Sequence, residues 1–194
     1  KVIVNEQDLS LVKTLNKAIN ISTGKYIARL DDDDVWLDTG KLKKQVEFLE
    51  QHQDYVLVGG GVVRVNESRK ETSRTLFPES DQKIRQSILF GCPFVHSVVM
   101  FRRSTFDQLG GYDERMPVGE DYDLWMKMGQ VGKLYNFPDY FVQYQESSTN
   151  LSHMNLRKIF WYNMGLVRKY RNQYPHSQKA MMLCLCYYGY SFIP

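Results

Sequence analysis

Four consecutive carboxylates, Asp31-Asp32-Asp33-Asp34, close a short apolar run, Tyr26-Ile27-Ala28, and no other stretch restricts the chain so strongly. Packed this tightly, ionised carboxylates repel, and each raises the pKa of the next. At the edge of a core such a cluster needs a cation, and oxygen ligands suit magnesium, manganese or calcium. A divalent ion held by a few carboxylates keeps positions open for phosphate oxygens. The run therefore points to phosphate-ester chemistry.

At 194 residues the chain is long enough for one domain with its own core. Apolar residues make up 43% and charged residues 24%, which excludes a disordered or fibrous chain. Cys92, Cys184 and Cys186 do not pair neatly and lack metal-ligand spacing, the pattern of reduced thiols in a cytoplasmic protein. No signal peptide is evident, and Lys1 opens directly on an apolar run, Val2-Ile3-Val4, so a preceding segment is expected to be missing. The net charge of +3 is unevenly spread. No acidic residue follows Glu146, whereas Arg157, Lys158, Arg168, Lys169, Arg171 and Lys179 do. A basic, aromatic tail on a nearly neutral body suggests an anionic surface as partner. Without a nucleic-acid-binding motif, that surface is expected to be membrane lipid.

Along the chain, Val2–Asn5 reads as a strand. Leu9, Val12, Leu15 and Ile19 then recur at helical spacing, with Asp8 as N-cap and Gly24 past the end. Tyr26–Leu30 is a second strand that delivers the acidic run. A helix capped by Asp38 follows, its apolar face Leu42, Val46 and Leu49. Tyr55–Val65 is β-rich, and Gly59-Gly60-Gly61 within it predicts a bend or a close backbone approach. The remaining pattern gives a helix at 81–90, a strand at 95–101, a loop around Gly110-Gly111-Tyr112, a helix at 120–128, and strands at 133–137 and 140–145. Strands alternating with helices predict an α/β fold with a mostly parallel sheet and ligands at the carboxyl ends of its strands. The expected division is a body over residues 1–150 and a basic amphipathic helical tail over 151–194. The final apolar run, 180–194, is shorter than the ~20 residues needed to span a bilayer. The tail is expected either to lie in the interface or to pack on the body.

A second acidic group, Glu120-Asp121-Tyr122-Asp123, opens the helix that begins at Glu120. A carboxylate in a first helical turn is held ionised by the helix dipole. Aimed into a cleft, it can take a proton from a hydroxyl. Alone, the pair reads first as an ordinary acidic cap, and the combination of motifs is what favours a base.

Together the motifs resemble family 2 glycosyltransferases of the GT-A fold. The resemblance rests on Asn16-x-Ala18-Ile19, Gly24-x-Tyr26-Ile27-Ala28-Arg29-Leu30 with the acidic run, Gln45-Val46-Glu47-Phe48-Leu49, His96-Ser97-Val98-Val99-Met100-Phe101-Arg102-Arg103, Gly110-Gly111-Tyr112-Asp113 and Glu120-Asp121-Tyr122-Asp123-Leu124-Trp125. These stand in order over residues 1–145. The resemblance implies an inverting transfer of one sugar from a nucleotide-sugar donor to a hydroxyl of a glycan or lipid-linked acceptor. It implies Asp31 and Asp33 as ligands of Mn2+ or Mg2+, with Asp32 toward the ribose, and Asn16 and Arg29 near the nucleotide. Asp121 becomes the catalytic base. Glu120 and Trp125 shape the acceptor side, with Gly110, Gly111 and Tyr112 at the mouth.

Two departures stand out. The family's opening strand-helix-strand unit is absent, and its Tyr-Arg-x-His reads Tyr144-Gln145-Glu146-Ser147 here. A third metal ligand is thereby left unassigned, with His153 as a substitute. The Q-x-x-R-W signature of processive synthases is also missing, which favours transfer of a single sugar. Two alternatives remain open: a haloacid-dehalogenase-type phosphatase, since Asp32-Asp33-Asp34-Val35 fits its nucleophile loop, and a non-catalytic nucleotide- or glycan-binding module. His96, Arg102, Arg103 and Trp36 are expected to serve mainly structural roles: a hydrogen-bonded core histidine, solvated cations and a packed ring.

Overall fold

The computed structural model describes residues 2, 4–7, 9–116, 118–146 and 156–192, without side chains at 156–158. Helix α1 (Leu11–Ile21) precedes strands β1 (Tyr26–Ala28) and β2 (Val35–Trp36), which bracket the acidic run. Helix α2 (Lys41–Gln51), strand β3 (Tyr55–Val65) and strand β4 (Glu71–Thr75) follow. Next come α3 (Asp81–Ser87), a 3-10 turn at His96–Val98, β5 (Met100–Arg102) and α4 (Arg103–Leu109). Then α5 (Glu120–Val131), β6 (Lys133–Gln145), α6 (Leu156–Tyr170) and α7 (Ser177–Tyr190) complete the order.

The strands form one sheet in the order β1-β5-β3-β6-β2, with β4 paired to β3. The α/β class holds, but the sheet is mixed, not mostly parallel. Only β3 and β6 run parallel, linked by the long crossover through α3, α4 and α5, whereas the short Asn66–Lys70 turn forces β4 antiparallel to β3. Strand β3 is buried along almost its whole length because both of its faces are covered. Val58 and Met100 pack with Leu49 of α2 on one face. Leu57, Phe101, Trp125 and Leu134 join the larger cluster on the other.

Several expectations shift. The described residues among Val2–Asn5 form no strand; Lys1, Ile3, Asp8, Ser147, His153 and Met154 lie outside the described residues. The cap of α1 is Ser10, whose Oγ accepts the Lys13 N–H at 3.4 Å. Helix α2 buries Lys41, Gln45 and Leu49 and half-buries Val46 against the same cluster, while Leu42 is exposed, so two polar side chains join the expected apolar face and Leu42 leaves it. Of the expected strand 95–101 only Met100 and Phe101 lie in a strand, β5, while His96–Val98 form the 3-10 turn; the loop around Gly110-Gly111-Tyr112 is present, and α4 precedes it where no element was expected. The expected strands at 133–137 and 140–145 are one strand, β6. The three glycines of β3 mark close approach: a Cβ on Gly59 would sit 2.3 Å from Asn136 Oδ1, and one on Gly60 2.6 Å from Phe141.

Arg102 and Arg103 are not solvated. Arg102 is buried and donates to the carbonyls of Tyr55, Leu49 and His52, closing the end of α2. Arg103 donates to the Ser22 carbonyl at the end of α1. The tail packs on the body: Leu166, Val167, Tyr170, Tyr174 and Ala180 belong to the main core cluster. Among the described residues no helix is long and apolar enough to cross a membrane.

Candidate active site

The acidic run turns between β1 and β2, and its four carboxylates face different surroundings. Ser97, fully buried in the 3-10 turn, accepts the Asp31 N–H at 3.0 Å and donates to Asp31 Oδ2 at 2.9 Å. Asp31 Oδ1 also pairs with the Arg29 guanidinium. Asp34 points inward, where its Oδ1 accepts the Gln145 N–H at 2.9 Å. Burial pushes Asp34 up from the ordinary carboxylate range. Asp32 is exposed and Asp33 half-buried, and neither makes a hydrogen bond or ion pair among the described residues. The run is thus split into an anchored pair, Asp31 and Asp34, and an available pair, Asp32 and Asp33. Ser97 had no assigned role in the sequence; its only trace is its place in the His96-Ser97-Val98-Val99 motif.

A cleft of ≈ 740 Å³ brings Asp31, Asp32 and Asp33 together with Glu120 and Asp121. Gly119, at φ +76, turns the chain into α5 and places Glu120 and Asp121 in its first turn. Asp121 Oδ1 accepts the Tyr122 N–H at 2.7 Å. Burial raises Asp121 above the usual carboxylate range, with nearby Glu120 adding to this and His96 opposing it. Glu120 is likewise raised by burial. His96 also lines the cleft; its Nε2 lies 2.7 Å from the Tyr112 hydroxyl, and burial lowers its pKa. The histidine is hydrogen-bonded, as expected, yet it borders the site.

A second cavity of ≈ 690 Å³ adjoins the first, sharing Leu11, Asp31 and Asp32 with it. Arg29 and Tyr112 line this second space. Asn16 and Gly111 line neither cavity. The Asn16 amide is spent on the Tyr112 backbone, accepting its N–H and donating to its carbonyl, both at 3.0 Å. These bonds clamp α1 to the Gly110-Gly111-Tyr112 loop, and Asn16 Nδ2 also donates to Glu114 Oε1 at 3.3 Å. Gly111, at φ +76, leaves no room for a Cβ beside that amide. Trp125 is fully buried against His96, Phe101 and Tyr112. It can shape an acceptor side only through those rings, because the helix turns it into the core.

The donor set suits a hard divalent cation. Asp33 has no hydrogen-bond or ion-pair partner among the described residues, and Asp31 stands beside it on a backbone fixed by Ser97. Among the described residues no three His, Cys, Asp or Glu side chains are grouped so that they could hold a metal ion by themselves. That arrangement fits an ion completed by substrate phosphates, as is usual for magnesium.

The model for glycosyl transferase family 2 matches residues 1–110. The chain belongs to that family. It is 32% identical over 167 residues to the amylovoran biosynthesis glycosyltransferase AmsE of Erwinia amylovora, covering 86% of this chain and 60% of that one. It is 32% identical over 114 residues to the O-antigen biosynthesis glycosyltransferase WbnJ of Escherichia coli, covering 59% and 43%. The chain thus spans about half the length of these relatives. Among solved structures, a mannosyltransferase of Pyrobaculum calidifontis in complex with GDP-Man and Mn2+ superposes with a TM-score of 0.62 at 15% identity, covering 98% of this chain and 57% of that one. S. aureus TarS 1–349 gives 0.57 at 14%, covering 94% and 52%. These likenesses establish the GT-A fold. They leave the phosphatase alternative without support.

Proposed function

We propose that this family 2 member transfers a single sugar from a nucleotide-sugar donor to a hydroxyl of a glycan or lipid-linked acceptor, inverting the anomeric carbon. The observation that carries this reading is that Asp33 and Asp121, far apart in sequence, line one cleft. The relatives' roles in amylovoran and O-antigen biosynthesis agree with a polysaccharide setting.

In this reading the acceptor oxygen attacks the anomeric carbon as the bond from that carbon to the diphosphate breaks. The acceptor proton passes to the Asp121 carboxylate. A base raised by burial is better matched to that task than an ordinary aspartate. Asp33 and Asp31 would hold Mn2+ or Mg2+, which supplies a Lewis acid to the leaving diphosphate. Asp32, the most exposed of the run, faces the ribose, and Arg29 lies toward the nucleotide along the second cavity. Glu120, with Tyr112 behind His96, bounds the acceptor side.

The tail supports peripheral contact with an anionic membrane on its inner face. Trp161, Met182, Leu185, Tyr187, Tyr190 and Phe192 are exposed, and no acidic residue lies beyond Glu146. Arg168, Arg171 and Lys179 are exposed near them in sequence, whereas Lys169 is committed to Asp123 at 2.5 Å.

The direct test is a screen of the protein against a panel of nucleotide sugars with Mn2+, following release of nucleoside diphosphate. Release that needs acceptor and metal supports the reading. Release of phosphate from a simple phosphomonoester, with no sugar nucleotide consumed, refutes it.

A further inference from the structure

The cleft that must receive a diphosphate is lined by six carboxylates, those of Asp31, Asp32, Asp33, Glu120, Asp121 and Glu146. Among the described residues lining it, the only lysine or arginine is Arg64. A nucleoside diphosphate carries two or more negative charges, and a single divalent ion shared with this many carboxylates leaves the space strongly anionic. A further cation on the wall would offset part of that charge.

Arg64 is built to be that cation. It lies near the end of β3, where its Cα pairs with Tyr144 of β6, and the neighbouring pair is Val65 with Gln145. The Gln145 N–H is the group that holds Asp34. One hydrogen bond therefore ties the acidic run to the strand row that carries Arg64. The guanidinium rests 5.2 Å from the Tyr144 ring centroid, which fixes its plane without using its N–H groups. Among the described residues its carboxylate partner is Glu146, reached at 3.3 Å by Nη1 alone. Glu146 is in turn shared with the Thr72 hydroxyl at 3.2 Å. Both Arg64 and Glu146 keep about a third of their side-chain surface open, at 28% and 35%. A single-pronged contact leaves most of the guanidinium donors free for a forked contact with phosphate.

We infer that Arg64 binds the diphosphate of the nucleotide donor, with Tyr144 as its platform and Glu146 as the partner it leaves or shares on binding. This rests on the donor reading above and adds to it the cation that the protein itself provides. The role is direct contact, distinct from the fixing of the acidic run by Ser97.

The test is calorimetric titration of the wild type, Arg64→Lys and Arg64→Gln with UDP and GDP in the presence of Mn2+. Uridine and guanosine, which lack phosphate, are the controls. Arg64→Gln is expected to weaken diphosphate binding about 10- to 100-fold, the loss of one charge-assisted contact, and to leave nucleoside binding unchanged. Arg64→Lys, which keeps the charge but not the fork, is expected to fall between. Equal diphosphate affinity in folded Arg64→Gln overturns the inference, as does an equal loss for nucleoside and diphosphate. Should Arg64→Gln fail to fold, Arg64→Lys decides: weaker diphosphate binding with unchanged nucleoside binding supports the contact, and unchanged diphosphate binding removes it. If the wild type binds neither diphosphate, the donor reading itself falls, and this inference with it.

Discussion

At the scale of single residues, the acidic run shows how one backbone turn gives identical side chains different work. Ser97 and Gln145 take Asp31 and Asp34, which leaves Asp33 free for a cation. Ser97→Ala removes both hydrogen bonds to Asp31, and is expected to weaken Mn2+-dependent donor binding about 10-fold. Manganese titration followed by electron paramagnetic resonance measures it, and Ser97→Thr, which keeps the hydroxyl, should recover most of the loss. Asp121 makes a prediction in pH. Its carboxyl must be ionised to accept a proton, and burial holds its pKa above the usual value of 3.8. The acid limb of the kcat/KM profile should therefore lie above that of an ordinary aspartate, with activity rising as pH increases through it. That Asp31 to Asp33 and Asp121 would share one cleft was legible in sequence, because charge clusters at element ends have few structural uses. Asn16 and Trp125 were not: a sequence pattern marks a position as constrained without saying whether a ligand or a neighbouring loop imposes the constraint.

At the scale of elements, the informative failures are polar residues where an apolar face was expected. In α2 the buried stripe is Lys41 and Gln45 with Leu49. The Lys41 ammonium donates to Gln45 Oε1 at 2.9 Å and lies 4.4 Å from the Trp36 ring centroid, while Gln45 Nε2 donates to the Val98 carbonyl at 2.9 Å. Helical period alone selects Leu42 for the core, whereas the structure exposes it; hydrogen-bond partners contributed by a distant turn are invisible to that period. Burial lowers Lys41 from 10.5 to about 8. Between those values the unfolded chain binds more protons than the folded one, so stability rises with pH across that window and the gain is lost as pH falls through about 8. Denaturant unfolding from pH 7 to 9.5 should show a gain of about 2 kcal/mol that Lys41→Met lacks. Helix α5 is tied to α6 in a comparable way. Asp123 is buried beneath Lys127, Lys169 and the Tyr170 hydroxyl, at 2.8, 2.5 and 2.7 Å. Burial alone would raise its pKa, but these partners outweigh it and hold the carboxyl below the usual value. Asp123→Ala is expected to cost about 2 kcal/mol in unfolding free energy, because a buried carboxylate that accepts from Lys169 and Tyr170 and pairs with Lys127 is lost. The long strand β3 and helix α5 were legible from pattern; β2, β4 and α4 are short, and tertiary pairing rather than propensity creates them.

At the scale of the whole molecule, the tail joins the main core on one side and leaves an aromatic surface on the other. Deleting it would strip Leu166, Val167, Tyr170, Tyr174 and Ala180 out of the main core, so a truncation cannot separate membrane contact from folding. Trp161→Ser combined with Leu185→Ser changes exposed positions only. That pair is expected to reduce sedimentation with vesicles rich in anionic lipid while leaving the unfolding midpoint in place. Unchanged vesicle binding would mean that the tail only packs. The measurement that bears most directly on the central claim is a paired assay of Asp33→Ala and Asp121→Asn with one nucleotide sugar, reading metal-dependent donor affinity and sugar transfer separately. The account predicts that Asp33→Ala loses the metal-dependent part of donor affinity, and that Asp121→Asn retains donor affinity while transfer falls at least about 100-fold. Transfer at the wild-type rate in the Asp121→Asn protein would contradict it.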